Sequence, residues 1–138
     1  MQASGREVAV GEVFTSQRRF TAADIDGFAA ASGDRSPIHM DAAFAARQGF
    51  AGRVVHGGLL LGQLSELIGM RFPAERGMWH SVTMDFLRPV LANEQVALEA
   101  AVATVSEAAR LVELRCTFRR GADTVARGKA RVVLFADA

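Results

Sequence analysis

Asp34 and His39 stand five residues apart in the segment Ser32-Gly33-Asp34-Arg35-Ser36-Pro37-Ile38-His39. A carboxylate and an imidazole held around one water can work as an acid–base pair, contributing about 10² to 10⁴ in rate for each well-positioned group. Adding water across an enoyl thioester needs such a pair. One group activates water toward the β-carbon, the other exchanges a proton at the α-carbon, and hydrogen-bond donors must meet the enolate-like oxygen. Gly57-Gly58, following Val54-Val55-His56, supplies donors if a helix starts there. First-turn N–H groups lack intrahelical acceptors, the helix dipole favours negative charge, and glycine lets a substrate come close. One oxyanion donor is worth about 3 to 4 kcal/mol.

Each feature also has a plainer reading. On spacing alone, by roughly two to one, Asp34 is an ordinary loop acid at a helix end and His39 a hydrogen-bonded loop residue. The glycine pair can be a tight turn and nothing more. Ser65, eight residues past Gly57 and so on a similar helix face, can bond a group of the site. A bond back to the Leu61 carbonyl is the more frequent fate of such a serine. His56 is expected to orient the turn, and His80, beside Trp79, to lie on the surface or in an interface. Three histidines so spaced, without an acid cluster, do not read as a metal set. Cys116 reads as a small core residue. Arg127, Lys129 and Arg131 can meet the phosphates of coenzyme A, although a solvated strand face accounts for them better.

The elements that must position these groups follow from periodicity. Thr21, with Asp24 three residues on, predicts a capped helix start; Ile25, Phe28, Ala29 and Ser32 continue it, and Gly33 ends it. Pro37 disfavours helix at Ser36, so 34–39 is expected to be an ordered non-helical loop. A short helix capped by Asp41 and running through Phe44 and Ala45 should follow. Leu59 to Met70 is apolar over most of its circumference, which predicts a central, enclosed helix. The period then changes to two. Val82, Met84 and Phe86 form one strand face; Gln95 to Ser106, Leu111 to Arg119 and Thr124 to Phe135 give three more strands, the last two joined by a turn at Gly121-Ala122-Asp123. Helices followed by strands with one wet face predict an α+β fold, with a curved antiparallel sheet wrapped around one buried helix, the hotdog arrangement.

The bulk numbers bound the partners. A chain of 138 residues, half of them apolar, is expected to form one domain over 1–138. Its formal charge of +1 is not concentrated on a face, so no nucleic-acid partner is expected. One cysteine permits no internal disulfide, and residues 1–10 carry no apolar signal core. With no run long enough to cross a bilayer, a soluble cytoplasmic protein is the expectation.

The stretch from Ser32 through Asp34, Pro37 and His39 to Ala45, resumed at Val54-Val55-His56-Gly57-Gly58-Leu59-Leu60, resembles the MaoC-like, or (R)-specific, enoyl-CoA hydratases of the hotdog superfamily. The resemblance spans most of the chain and reverses the odds on the Asp34–His39 pair. It implies that Asp34 and His39 hold the catalytic water, that the Gly57 N–H binds the thioester oxygen, and that Ser65 lies near them. It further implies an (R)-3-hydroxyacyl product, no metal or redox cofactor, an acyl thioester of coenzyme A or acyl carrier protein as substrate, and a homodimer. An unpaired sheet edge gives a separate reason to expect a partner. Two positions depart from the pattern. Ser36 stands where Asn is common, which can change the hydrogen bonds of the loop. Gly58 stands where relatives carry a bulkier residue such as Met, which can loosen the turn or enlarge the pocket. Two other readings remain: a hotdog thioesterase, whose acid would sit on the central helix at Glu66, and a non-catalytic acyl-CoA binding module.

Overall fold

Alternating burial along the later strands assembles the core. Residues 2–3 and 6–136 are described by a computed structural model. Strands β1 (Gln2–Ala3) and β2 (Arg6–Glu7) form a small ladder of their own; β3 (Val13–Arg19) begins the main sheet. Four helices follow: α1 (Ala22–Ser32), α2 (Pro37–Met40), α3 (Ala42–Arg47) and α4 (Gly57–Met70). Strands β4 (Gly77–Phe86), β5 (Gln95–Ser106), β6 (Leu111–Arg120) and β7 (Asp123–Leu134) complete an antiparallel sheet in the order β3-β5-β6-β7-β4. Leu98 pairs with Phe118, Ala100 with Cys116 and Val102 with Leu114, so the buried sets of adjacent strands share one face. Gly121 takes the left-handed conformation, φ 58°, that the β6–β7 turn requires. Burial pushes the Cys116 thiol up to about 12, so it is a neutral core group at physiological pH.

Helix α4 lies on the apolar face through Leu60, Leu64, Leu67 and Ile68, all buried. Buried Gln63 fixes its height, donating to Ser16 Oγ at 3.1 Å and to the Val96 carbonyl at 3.2 Å. The expectation of a fully enclosed helix needs correction: Gly62, Ser65, Glu66, Gly69 and Met70 are exposed. Glycines add no polar interruption to the pattern, yet they have no side chain to bury. The apolar count therefore overstated the enclosed arc.

Strand β4 departs from its pattern for a related reason. Val82, Met84 and Phe86 face Ala130, Gly128 and Ala126 of β7 and share the core side. Val82 nevertheless stays 39% exposed and Phe86 51%, because β4 is the edge strand of the sheet, paired only with β7.

Among the helices, α1 begins with the predicted capping box. Asp24 Oδ2 accepts from the Thr21 backbone N–H at 2.8 Å, and Thr21 Oγ1 accepts from the Asp24 N–H at 3.2 Å. The Thr21 N–H holds the Asp24 carboxyl below its usual value. Gly33, at φ 82°, ends the helix with its N–H on the Ala29 carbonyl. Asp41 caps α3 as expected, accepting from the N–H groups of Ala43 and Phe44. The loop expected over 34–39 is shorter than that. Ser36 is extended, as the residue before proline should be, but Pro37 opens helix α2 and His39 sits on it. Proline at the first helical position loses no hydrogen bond and arrives with its φ preset, so the residue that excludes helix before it starts one after it.

Candidate active site

Asp34 is held by its surroundings at every polar position but one. Ser32 Oγ donates to the Phe28 carbonyl at 2.7 Å and accepts from the Asp34 N–H at 3.0 Å. His56 Nε2 lies 3.0 Å from the Asp34 carbonyl, and the Ser36 N–H donates to Oδ1 at 3.1 Å. Oδ2 is left facing His39 Nε2 at 3.8 Å. The carboxyl side chain is 48% exposed, the imidazole 15%.

His39 is oriented by Val54, whose carbonyl lies 2.7 Å from Nδ1. A carbonyl can only accept, so Nδ1 carries the hydrogen and Nε2 presents its lone pair toward Asp34 when the ring is neutral. A gap of 3.8 Å exceeds a direct hydrogen bond, but a water oxygen about 2.8 Å from each atom spans it. Ser36 takes part through its backbone: its N–H holds Asp34 and its carbonyl accepts the His39 N–H at 2.9 Å. The change from Asn to Ser at 36 therefore leaves these two bonds in place.

Buried His56 does more than orient a turn. Its ring stacks on His39 with centroids 3.9 Å apart and planes 24° from parallel, while Phe28 packs against it at 4.6 Å. Ligand atoms of Asp34, His39 and His56 fall within 4.8 Å of one another, closer than the spacing of the histidines in sequence suggested; His80 stays on the exposed edge strand. One nitrogen of each ring meets a backbone carbonyl, His39 Nδ1 that of Val54 at 2.7 Å and His56 Nε2 that of Asp34 at 3.0 Å.

Gly57 is the first residue of α4, and with His39 it lines a cavity of about 310 Å³. The remaining walls are Val54, Val55, Leu60, Phe86, Leu87, Arg88, Pro89 and Val90, nearly all apolar. Asp34, His39, His56 and Gly57 thus come together around one end of α4. Ser65 does not join them: it is exposed and, among the described residues, makes no side-chain hydrogen bond to Asp34, His39 or the Leu61 carbonyl. Eight residues of helix carry it about 12 Å along the axis.

Gly58 does not enlarge the pocket, contrary to the expectation from its small size. A Cβ there would lie 2.2 Å from Phe28 Cζ, so the Phe28 ring already fills the space. Gly58→Met should therefore destabilise the fold by about 1–3 kcal/mol. Phe28→Ala in the same chain should recover much of the loss. Thermal midpoints of the two single variants and the double variant check this coupling; strict additivity would contradict it.

Phe28, Arg53 and Val54 are the site residues that sequence reasoning missed. Phe28 was assigned only to a helix face, and the other two lie in an irregular segment whose partners are far away in sequence. Arg53 Nε donates to the His39 carbonyl at 2.5 Å, and Nη2 donates to Asp26 Oδ1 at 2.6 Å.

Comparison with known proteins shows the family and the fold. The MaoC like domain family model matches residues 7–120. The chain is 34% identical over 126 residues to 3-hydroxybutyryl-CoA dehydratase of Methylorubrum extorquens, covering 91% of this chain and 79% of that one. It is 33% identical over 132 residues to (R)-specific enoyl-CoA hydratase of Aeromonas caviae, covering 95% and 98%. A solved structure of the (R)-hydratase from A. caviae involved in PHA biosynthesis superimposes with a TM-score of 0.89 at 31% identity, over 94% of this chain and 99% of that one.

Proposed function

The chain belongs to the MaoC-like domain family, and from that premise we propose that it is a hydro-lyase interconverting 2-enoyl thioesters and (R)-3-hydroxyacyl thioesters. The observation that carries the assignment to this site is the approach of Asp34 Oδ2 to His39 Nε2 at 3.8 Å, with His39 and Gly57 lining one apolar cavity. In hydration, the water oxygen bonds to C3 while one of its O–H bonds breaks. The C2=C3 electron pair moves toward the thioester oxygen, where the Gly57 N–H stabilises the developing charge, and C2 then takes a proton.

Asp34 and His39 work with one proton between them. Asp34 delivers it to C2 as His39 accepts the proton from water, and its return across the pair resets the site. The acyl group lies among Val54, Val55, Leu60 and Phe86, and the thioester carrier is coenzyme A or acyl carrier protein. The whole chain acts as one domain and as a homodimer, joined at the uncovered edge β4, where Met78, Val82 and Phe86 are exposed.

Dimerisation has a direct check. Light scattering should give twice the 14.8 kDa of one chain, and Val82→Lys should shift the mass toward one chain and lower turnover. A wild-type chain that stays monomeric at micromolar concentration would overturn the dimer.

The thioesterase reading is disfavoured by the placement of Glu66, the one acid on α4. It is exposed and paired with Arg18 at 2.9 Å, away from the cavity lining. Purified protein should consume the conjugated chromophore of crotonyl-CoA or a longer enoyl-CoA without releasing thiol, with acyl carrier protein thioesters as a second set of substrates. No loss of the chromophore across chain lengths and both carriers would contradict the proposal. Tight binding without turnover, unaffected by Asp34→Asn, would identify a binding module instead.

A further inference from the structure

The acid and the base sit on different pieces of chain. Asp34 follows the C-terminus of α1, and His39 belongs to the separate helix α2, four residues long. A helix of that length has little stability of its own, so something outside it must fix where the imidazole points.

The dipeptide Arg53-Val54 grips α2 at three points. The Val54 N–H donates to the Ile38 carbonyl at 3.1 Å, Arg53 Nε donates to the His39 carbonyl at 2.5 Å, and His39 Nδ1 meets the Val54 carbonyl at 2.7 Å. That dipeptide is itself anchored to the loop before β5. Val54 bridges Leu91, the Ala92 N–H donates to the Arg53 carbonyl at 3.0 Å, and the Val55 N–H to the Val90 carbonyl at 2.7 Å. The other arm of the guanidinium reaches Asp26, in the middle of α1, at 2.6 Å. The arginine side chain is only 17% exposed, which reduces solvent screening of its contact with the His39 carbonyl, while Asp26 at the other end is 57% exposed.

We infer that Arg53 is a positioning residue: its forked guanidinium ties α1 to α2 and so sets the separation of Asp34 from His39. Planar, fixed-angle donors can hold the His39 carbonyl and the Asp26 carboxylate together. The single ammonium of lysine, on a flexible stem, can replace the charge without reproducing the fork. Misplacing a reacting group by about 1 Å can cost on the order of 10²-fold in rate.

The inference rests on Asp34 and His39 being the working pair, and its test separates the two claims. Arg53→Lys and Arg53→Ala should lower kcat by about 10- to 100-fold and leave KM within about threefold, since Gly57 and the apolar walls of the cavity do not change. The His39 Nδ1–H gives a second readout that needs no turnover. In wild-type protein labelled with nitrogen-15 at histidine, it should appear as a hydrogen-bonded imidazole proton, assigned by its loss in His39→Ala. In Arg53→Lys it should exchange with solvent at least about tenfold faster, with circular dichroism showing a folded protein. Should Arg53→Ala fail to fold, Arg53→Lys carries the test. A kcat within twofold of wild type in Arg53→Lys, or an unchanged His39 proton in that variant, would overturn the clamp. Wild-type protein without hydratase turnover would overturn the activity and leave the imidazole signal to decide the clamp alone.

Discussion

Asp34→Asn should lower kcat for enoyl-CoA hydration by about 10² to 10⁴, with the fold intact. This substitution isolates chemistry from architecture. Oδ1 of an asparagine can still accept from the Ser36 N–H, and the backbone bonds to Ser32 and His56 do not involve the side chain. What disappears is the carboxyl oxygen that faces His39 Nε2. His39→Ala should reduce turnover to the same degree and also cost some stability, about 1–3 kcal/mol, because the Val54 carbonyl loses its partner. Losses in the double variant should fall well short of the product of the single losses, as residues acting as a unit are not additive. Steady-state kinetics with thermal midpoints alongside check all three variants.

A larger effect on stability is expected from Gly128→Ala. A Cβ at Gly128 would lie 1.9 Å from the Thr83 carbonyl oxygen and 2.8 Å from Met84 Cα. Both are backbone atoms of β4, so no rotamer change relieves the contact, and the strands must separate locally. The cost should exceed the about 1–3 kcal/mol typical of overpacked side chains. Since β4 carries Phe86 into the cavity wall, activity should fall as the edge strand lifts, even in whatever fraction remains folded. Denaturant unfolding together with kcat/KM reads both effects; a midpoint within 0.5 kcal/mol of wild type, a margin of about the scatter of surface substitutions, would contradict the packing at this position.

Much of the fold was legible because its signals are local. Thr21 with Asp24, Gly33, Asp41 and the alternating strands each act within a few residues, and β5 has the predicted bounds, Gln95–Ser106. The pattern from Asp34 to His39 and the Gly57 turn were legible for the same reason. Contacts between distant segments were not. Phe28 occupies the volume beside Gly58 from another helix, and Arg53 reaches Asp26 across 27 positions. Nothing in either residue's own neighbourhood announces those contacts. The exposed face of α4 was missed because glycine counts as neither polar nor buried in a pattern. Pro37 was read correctly for the residue before it and incompletely for those after it.

The most direct test of the central claim is the fate of a 2-enoyl-CoA incubated with the protein in deuterium oxide and analysed by mass and chirality. Asp34 and His39 acting on one water predict an (R)-3-hydroxyacyl-CoA with solvent deuterium at C2 and oxygen at C3, formed by wild type and lost in Asp34→Asn. Free coenzyme A with an unchanged double bond, an (S) product, or undiminished turnover by Asp34→Asn would contradict it.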